Sequence, residues 1–248
     1  MVLASIGVWI SSLGLYLMTL GQTLTWGYNK WGVDGGELLA AANTMGVPHP
    51  PGYPTYMLLL KAFATIVPIG DFAFRGNLLS AILASVSVVL LYWVILRFCR
   101  YIKPKAPVRL WILSGVIGAL VFATSPLLWS QAVMTEVYTL NTFIVGVLLF
   151  IAIRLILRSP DEKDLNTPYI NANMAAFALI LGIGLGNHLT ILAIGTPLLF
   201  WLWRNLGTRK IASVWTLAAF LIGISIYMYL PIRAAQNPPI NWGEANTF

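Results

Sequence analysis

The stretch Asp34–Pro54, DGGELLAAANTMGVPHPPGYP, and the apolar run Thr55–Val67 behind it decide how this chain is organised. Elsewhere the sequence runs in apolar stretches of membrane-spanning length. This segment breaks them with two carboxylates, a histidine, four prolines and several glycines. Charged groups are expensive in a bilayer core, so the segment belongs at the membrane surface. The open question is whether Thr55–Val67 crosses. As a helix it reaches only about 20 Å at about 1.5 Å per residue, against a hydrocarbon core of about 30 Å.

Loop charge answers the question. Apolar spans are expected at Val2–Thr25, Leu78–Phe98, Leu110–Trp129, Tyr138–Leu157, Ala172–Gly186, Leu189–Trp203 and Ile211–Pro231. If Thr55–Val67 stays on one side, Arg97, Arg100, Lys103, Lys105 and Arg109 share a face with Arg154, Arg158, Lys163, Arg204, Arg209 and Lys210. That face then holds eleven of the fifteen basic residues, leaving Lys30, Lys61, Arg75 and Arg233 opposite. A crossing would scatter the clusters. The positive-inside rule therefore predicts about seven transmembrane helices, a cytoplasmic N-terminus and a first outer loop over 26–77. Thr55–Val67 becomes an interfacial helix in that loop, with Lys61 snorkelling.

Composition agrees. Hydrophobic residues make up 58% of the 248 and charged residues 9%, where soluble domains carry about a quarter charged. Mean hydropathy is +0.80. The fold class is an all-α polytopic membrane protein, a single transmembrane domain over 1–248. The net charge of +7 gathers in short loops, which points to topology and not to nucleic acid. The lone Cys99 permits no internal disulfide. Residues 1–25 lack a charged leader and a cleavage pattern, so the first helix is expected to be retained.

Under this topology Asp34, Glu37, His49, Glu136 and Arg233 all face outward. Asp34 and Glu37 lie three apart at the start of a helix, on one face if the turn has already formed. The competing reading is an N-cap pair serving the helix dipole. HPPGYP, His49–Pro54, is expected to be a stiff extended rim, because proline fixes its own φ and restrains its neighbour. It would hold His49 and Tyr53 toward a polar head group, or simply aim the chain into the next helix. Glu136, within TSPLLWSQAVMTEVYTLN, is an acid among apolar neighbours and is expected to face a cavity lined by Gln131, Tyr138 and Asn141. His188 follows Gly182, Gly184 and Gly186, glycines suited to close helix packing. Arg233 is either an interfacial anchor or a guanidinium for a phosphate. Trp26, Tyr28, Trp31 and Trp129 are belt aromatics or sugar-stacking surfaces. P-loop, HExxH, CxxC and nucleophile-elbow patterns are absent. So are an arginine ladder and a mid-span acid.

Four ordered blocks, DGGELLAAANTMGVPHPPGYPTYMLL, MTEVYTLN, GLGNHLT and LPIRAAQNPPINWGE, give the chain a resemblance. It is similar to a bacterial family, long known as a domain of unknown function, whose animal relatives are protein O-mannosyltransferases of the endoplasmic reticulum. That family looks like part of the GT-C superfamily of membrane glycosyltransferases. The resemblance implies a seven-helix module and a bacterial inner-membrane location. It implies a hexose or mannose-like sugar moved from a polyprenyl-phosphate carrier to a protein or glycan acceptor on the outer face. Asp34 or Glu37 would be the catalytic carboxylate, Glu136 a second catalytic acid, and Arg233 a phosphate ligand. Family members usually continue beyond NPPINWG, so truncation at the C-terminus is expected.

The implied chemistry is a single displacement at the anomeric carbon with inversion. A carboxylate takes the acceptor's proton, while Arg233, His188 or His49 offsets charge on the leaving phosphate. Asp34 and Glu37 can also hold a divalent metal, Mg or Mn. The alternative is a non-catalytic subunit that keeps the fold and binds lipid or partner helices in a larger complex. A transporter ranks last, because no inverted repeat appears.

Overall fold

A computed structural model of the chain describes residues 1–25, 34–157, 167–207 and 213–242. The expectations on Trp26, Tyr28, Lys30, Trp31, Arg158, Lys163, Arg209 and Lys210 fall outside the described residues. The elements are α1 (Val2–Met18), α2 (Gly35–Thr44), α3 (Pro54–Ile66), α4 (Phe72–Ile102), α5 (Val108–Ala123), α6 (Pro126–Ala132), α7 (Tyr138–Ile156), α8 (Thr167–Leu185), α9 (Ile191–Leu206) and α10 (Val214–Ile224). A 3₁₀ turn (Ser225–Met228) and α11 (Tyr229–Ala234) complete them. Among the described residues the one β-type pairing is an isolated parallel bridge between Val47 and Asn241.

The architecture is all-helical and its long helices are apolar, as an integral membrane protein requires. Four are long and apolar enough to cross: α4, α7, Pro168–Leu185 of α8, and the continuous run Val214–Ala234. A fifth appears if the bent pair α5 and α6 counts as one span. The shorter apolar helices are α1, α3 and α9. The sequence-based count of seven adds α1 and α9 to these five, and is taken up with the topology below.

Two departures from the expected spans have local causes. The third span does not run straight from Leu110 to Trp129 but breaks at Thr124–Ser125 and turns by 65°. Pro126 has no N–H to continue the ladder and disfavours helical backbone at Ser125. The Ser125 hydroxyl instead accepts from the Leu128 N–H and caps α6. The second span is longer than expected. Asp71 caps it by accepting from the Phe74 N–H, so α4 starts six residues before Leu78.

The helices pack around two main apolar clusters. One joins α1, α4, α5 and α6 through Tyr16, Ala84, Tyr92, Trp111 and Leu128. The other joins α2, α3, α7, α8 and α9 through Leu38, Tyr56, Met57, Leu148, Phe177 and Leu202. Helices α8 and α10 meet at glycines: a Cβ on Gly182 would stand 2.7 Å from the Phe220 carbonyl oxygen. That is the close-packing role expected for this glycine. The far face of α10 presents Val214, Trp215, Leu217 and Ile222 outward, a surface fit for lipid.

Candidate active site

The site forms where the N-terminus of α2 meets the turn between α6 and α7. Asp34 is the N-cap residue of α2, yet its side chain makes no capping bond. Asp34 thus holds the N-cap position without a capping bond, and Glu37 stands in the first turn, where its charge suits the helix dipole. The Asp34 backbone N–H donates instead to Glu136 Oε1 at 3.0 Å, so Glu136 satisfies a donor that the start of the helix leaves free. The approach is tight. A Cβ on Gly35 would lie 2.7 Å from the Thr135 carbonyl oxygen, and only glycine fits.

Glu136 is 3% exposed, and burial pushes its carboxyl up to about 7. The Asp34 charge raises it further, while the backbone N–H groups of Asp34 and Val137 and the nearby His49 pull it back. The turn that carries it is fixed from beneath. Thr135 Oγ1 donates to Asn77 Oδ1 at 2.9 Å, and the Asn77 amide donates to the Gly21 and Thr23 carbonyls at 2.8 and 3.0 Å.

HPPGYP differs from the expected extended rim. It is a tight turn closed by the Gly52 N–H on the His49 carbonyl at 2.9 Å, with a cis Pro50–Pro51 bond. Gly52 and Tyr53 both have positive φ, at 86° and 42°. For Tyr53 that left-handed backbone is uncommon. It leaves the phenol 3.0 Å from His49 Nε2.

The turn brings His49 back over α2. Its backbone N–H donates to Glu37 Oε1 at 2.6 Å, and its Nδ1 lies 2.9 Å from Glu37 Oε2. With the proton on Nδ1, donated to Glu37, Nε2 accepts from the Tyr53 hydroxyl. Nε2 also stands 3.6 Å from Asp34 Oδ2. Both Glu37 oxygens are thus occupied, whereas the Asp34 side chain is 54% exposed. Burial and the surrounding acids push the Tyr53 phenol up to about 12, so it stays a proton donor.

His188 closes the far side. Its ring stacks on Tyr53 at 6.2 Å between centroids and lies 5.6 Å from the Tyr138 ring. The Thr190 N–H donates to His188 Nδ1 at 3.2 Å, which leaves the proton on Nε2. Burial lowers the His188 pKa, favouring that neutral form. Neighbouring Asn187 is fully buried and donates to the Val137 carbonyl at 3.2 Å, tying the α8–α9 turn to the Glu136 turn.

Asp34, Glu37, His49, Tyr53, Glu136 and His188 therefore gather in one place. Arg233 sits elsewhere. Its Nε donates to the Met45 carbonyl at 2.6 Å, Nη2 to the Thr44 carbonyl at 3.3 Å, and Nη1 to Gln236 Oε1. It caps the C-terminus of α2, the opposite end from Asp34. Trp129 is tied by its indole N–H to Thr19 Oγ1 at 2.9 Å, away from the acids. The supports Asn77, Thr135 and Tyr229, whose hydroxyl donates to the Gly46 carbonyl at 2.8 Å, carry no sequence signal of their role. Each acts across a long gap in the chain.

Fold and site together define a helical membrane protein with acids and histidines gathered at one end of its bundle. Residues 34–210 match the family described as Protein O-mannosyl-transferase TMEM260 N-terminal domain, and the chain belongs to that family. It is 29% identical over 249 residues to Protein O-mannosyl-transferase TMEM260 of Mus musculus, covering 98% of this chain and 32% of the relative. It is 28% identical over 255 residues to Protein O-mannosyl-transferase tmem260 of Dictyostelium discoideum, covering 97% of this chain and 29% of the relative. The chain thus spans about a third of the length of these relatives. No solved structure matches it.

Proposed function

We propose that this chain carries the catalytic end of a membrane glycosyltransferase. It moves a mannose-like hexose from a polyprenyl-phosphate carrier to a hydroxyl of a protein or glycan, with inversion at the anomeric carbon. The observation that carries the reading is the division of labour among the acids. Glu37 is fully engaged in holding His49, Glu136 is buried under the α2 N-terminus, and Asp34 alone presents free carboxylate oxygens.

Asp34 is then the general base. The acceptor oxygen bonds to the anomeric carbon as the bond from that carbon to the phosphate oxygen breaks, and the acceptor's proton passes to Asp34. The phosphate leaves with its electron pair and needs charge stabilisation, not a proton. His188 Nε2–H is the donor placed to supply it. His49, held by Glu37, stands 3.6 Å from Asp34 Oδ2 and orients the base. Arg233 contributes by fixing α2.

Asp34, Glu37 and His49 also offer ligand atoms within 4.8 Å of one another, and a divalent ion would be held there by displacing the hydrogen bonds between Glu37 and His49. Two carboxylates and one imidazole suit manganese better than all-oxygen magnesium. A bound ion would offset charge on the carrier phosphate.

The topology belongs to the same proposal. Helices α1, α4, α5–α6, α7, α8, α9 and α10–α11 make seven crossings, α3 lies along the outer leaflet, and the acids face outward. The test is transfer from polyprenyl-phosphate mannose to an acceptor peptide by purified protein. Asp34→Asn is expected to lower turnover by about 10²- to 10⁴-fold without loss of folding. Full turnover in Asp34→Asn removes the reading.

A further inference from the structure

A cavity of about 290 Å³ lies beside the site, between α6 and α7, with Phe122, Leu128, Gln131, Tyr138 and Asn141 in its lining. The turn that joins its two walls, residues 133–137, is the one that carries Glu136. Tyr138 belongs both to this lining and to the aromatic contact with His188. The cavity therefore shares a wall residue with the cluster around His188.

Its polar groups fall into two kinds. The Ser125 hydroxyl donates to the Phe122 carbonyl at 2.7 Å, and that of Thr142 to the Tyr138 carbonyl at 2.8 Å. Gln131 Oε1 and Asn141 Oδ1, by contrast, are buried with no hydrogen-bond partner. Orphaned acceptors of this kind call for an explanation, such as a ligand that completes them. Rotation about the last side-chain bond exchanges amide oxygen and nitrogen, so each amide can offer a ligand an acceptor or a donor. Two amides, each with an unpartnered oxygen, beside an aromatic ring suit a polyhydroxylated ring, with hydroxyls on the amides and a C–H face on the aromatic. The volume lies at the small end of ligand pockets. An extended peptide would need a row of backbone partners along an edge, and none lines this cavity.

We propose that the cavity binds the pyranose ring of the sugar, held by Gln131 and Asn141 against Tyr138. The inference rests on the transferase reading and adds where the sugar sits. A second, apolar cavity of about 140 Å³ shares Phe122 and Thr142, which makes a lipid tail the rival occupant.

The test compares binding of polyprenyl-phosphate mannose, bare polyprenyl phosphate and methyl mannoside to wild-type protein and to the Gln131→Leu/Asn141→Leu double variant. Two lost hydrogen bonds predict a loss of about tenfold or more in affinity for a sugar-bearing ligand. Binding of the bare carrier is expected to be unchanged. Loss toward the lipid-linked sugar places the donor's ring in the cavity, and loss toward methyl mannoside alone places an acceptor glycan's ring there. Both outcomes support the proposal. Equal loss toward bare and sugar-bearing lipid assigns the cavity to the carrier's tail and overturns it, as does no change toward any ligand. Removing orphaned acceptors is neutral or stabilising, so the melting temperature should hold or rise. Should the double variant fold poorly, the near-isosteric Gln131→Glu and Asn141→Asp variants are measured in its place. They are expected to keep sugar binding, and losing it would overturn the proposal. Turnover by wild type and Asp34→Asn is measured alongside. Failure of the transferase reading appears there, whereas failure of the cavity appears in binding alone.

Discussion

The two walls of the site are built on opposite plans. On the α2 side every polar group but one has a partner: Glu37 holds His49 twice, His49 meets Tyr53, and Asp34 alone is left open. On the α6–α7 side the acid is buried and two amides are left unsatisfied. The first wall is preorganised, so its geometry costs nothing to assemble when a substrate arrives. The second is receptive, with polar groups waiting for partners. In the proposed transfer, one wall would hold the base still and the other would accept the ring.

The largest expected effect breaks the first wall. Glu37→Ala frees His49 and the turn behind it, and a misplacement of about 1 Å at a reacting group costs about 10²-fold. Single-turnover sugar transfer should fall by about that factor. Glu37→Gln should lose less, since one amide oxygen still accepts the His49 N–H. Equal losses in the two variants would show that charge at residue 37 matters and positioning does not.

The second effect probes the buried acid. The Glu136 carboxyl sits at about 7 against an ordinary value of 4.5, so between those limits the folded protein holds a proton that the unfolded chain releases. Stability then falls as pH rises from 4.5 toward 7, by roughly 3 kcal/mol at most. Melting in detergent across pH 4.5–8 should show this slope in wild type, and Glu136→Gln should flatten it. A slope unchanged in that variant would place its origin elsewhere.

The smallest expected effect concerns Arg233. Arg233→Lys loses the fork that reaches the Met45 and Thr44 carbonyls. At about 1 kcal/mol for a net hydrogen bond, the melting temperature should drop by about 2–4 °C. Affinity for bare polyprenyl phosphate should stay near wild type. A large loss of that affinity would return Arg233 to the phosphate.

How much of this was legible beforehand follows from range. The apolar runs and the acid-bearing interruption are local patterns, and they gave the helical membrane class and the candidates Asp34, Glu37, His49, Tyr53, Glu136 and His188, which the fold brings together. Helix breaks depend on one or two residues, and Ser125–Pro126 was misread because the apolar run continues through it. HPPGYP was read as extended because proline statistics describe each residue singly, whereas the turn depends on the positive φ of Gly52 and Tyr53. Arg233 stood open between an anchor and a phosphate ligand, and its bonds to α2 were hidden for a different reason. An interfacial arginine beside prolines looks free, and its partners lie about 190 residues earlier, where only the folded chain brings them. The unpaired state of Gln131 and Asn141 was hidden likewise, since a missing partner leaves no mark in a sequence.

The bridge between Val47 and the segment Ile240–Trp242 has a consequence for timing. The Val47 N–H donates to the Ile240 carbonyl at 2.8 Å, and the Trp242 N–H to the Val47 carbonyl at 3.0 Å, two residues ahead of His49. A ribosome adding about 5–20 residues per second reaches Trp242 roughly 10–40 s after Val47. During that interval the histidine turn is already outside the ribosome but lacks its clasp. The clasp on the histidine turn therefore closes only after the last of the described helices has been made.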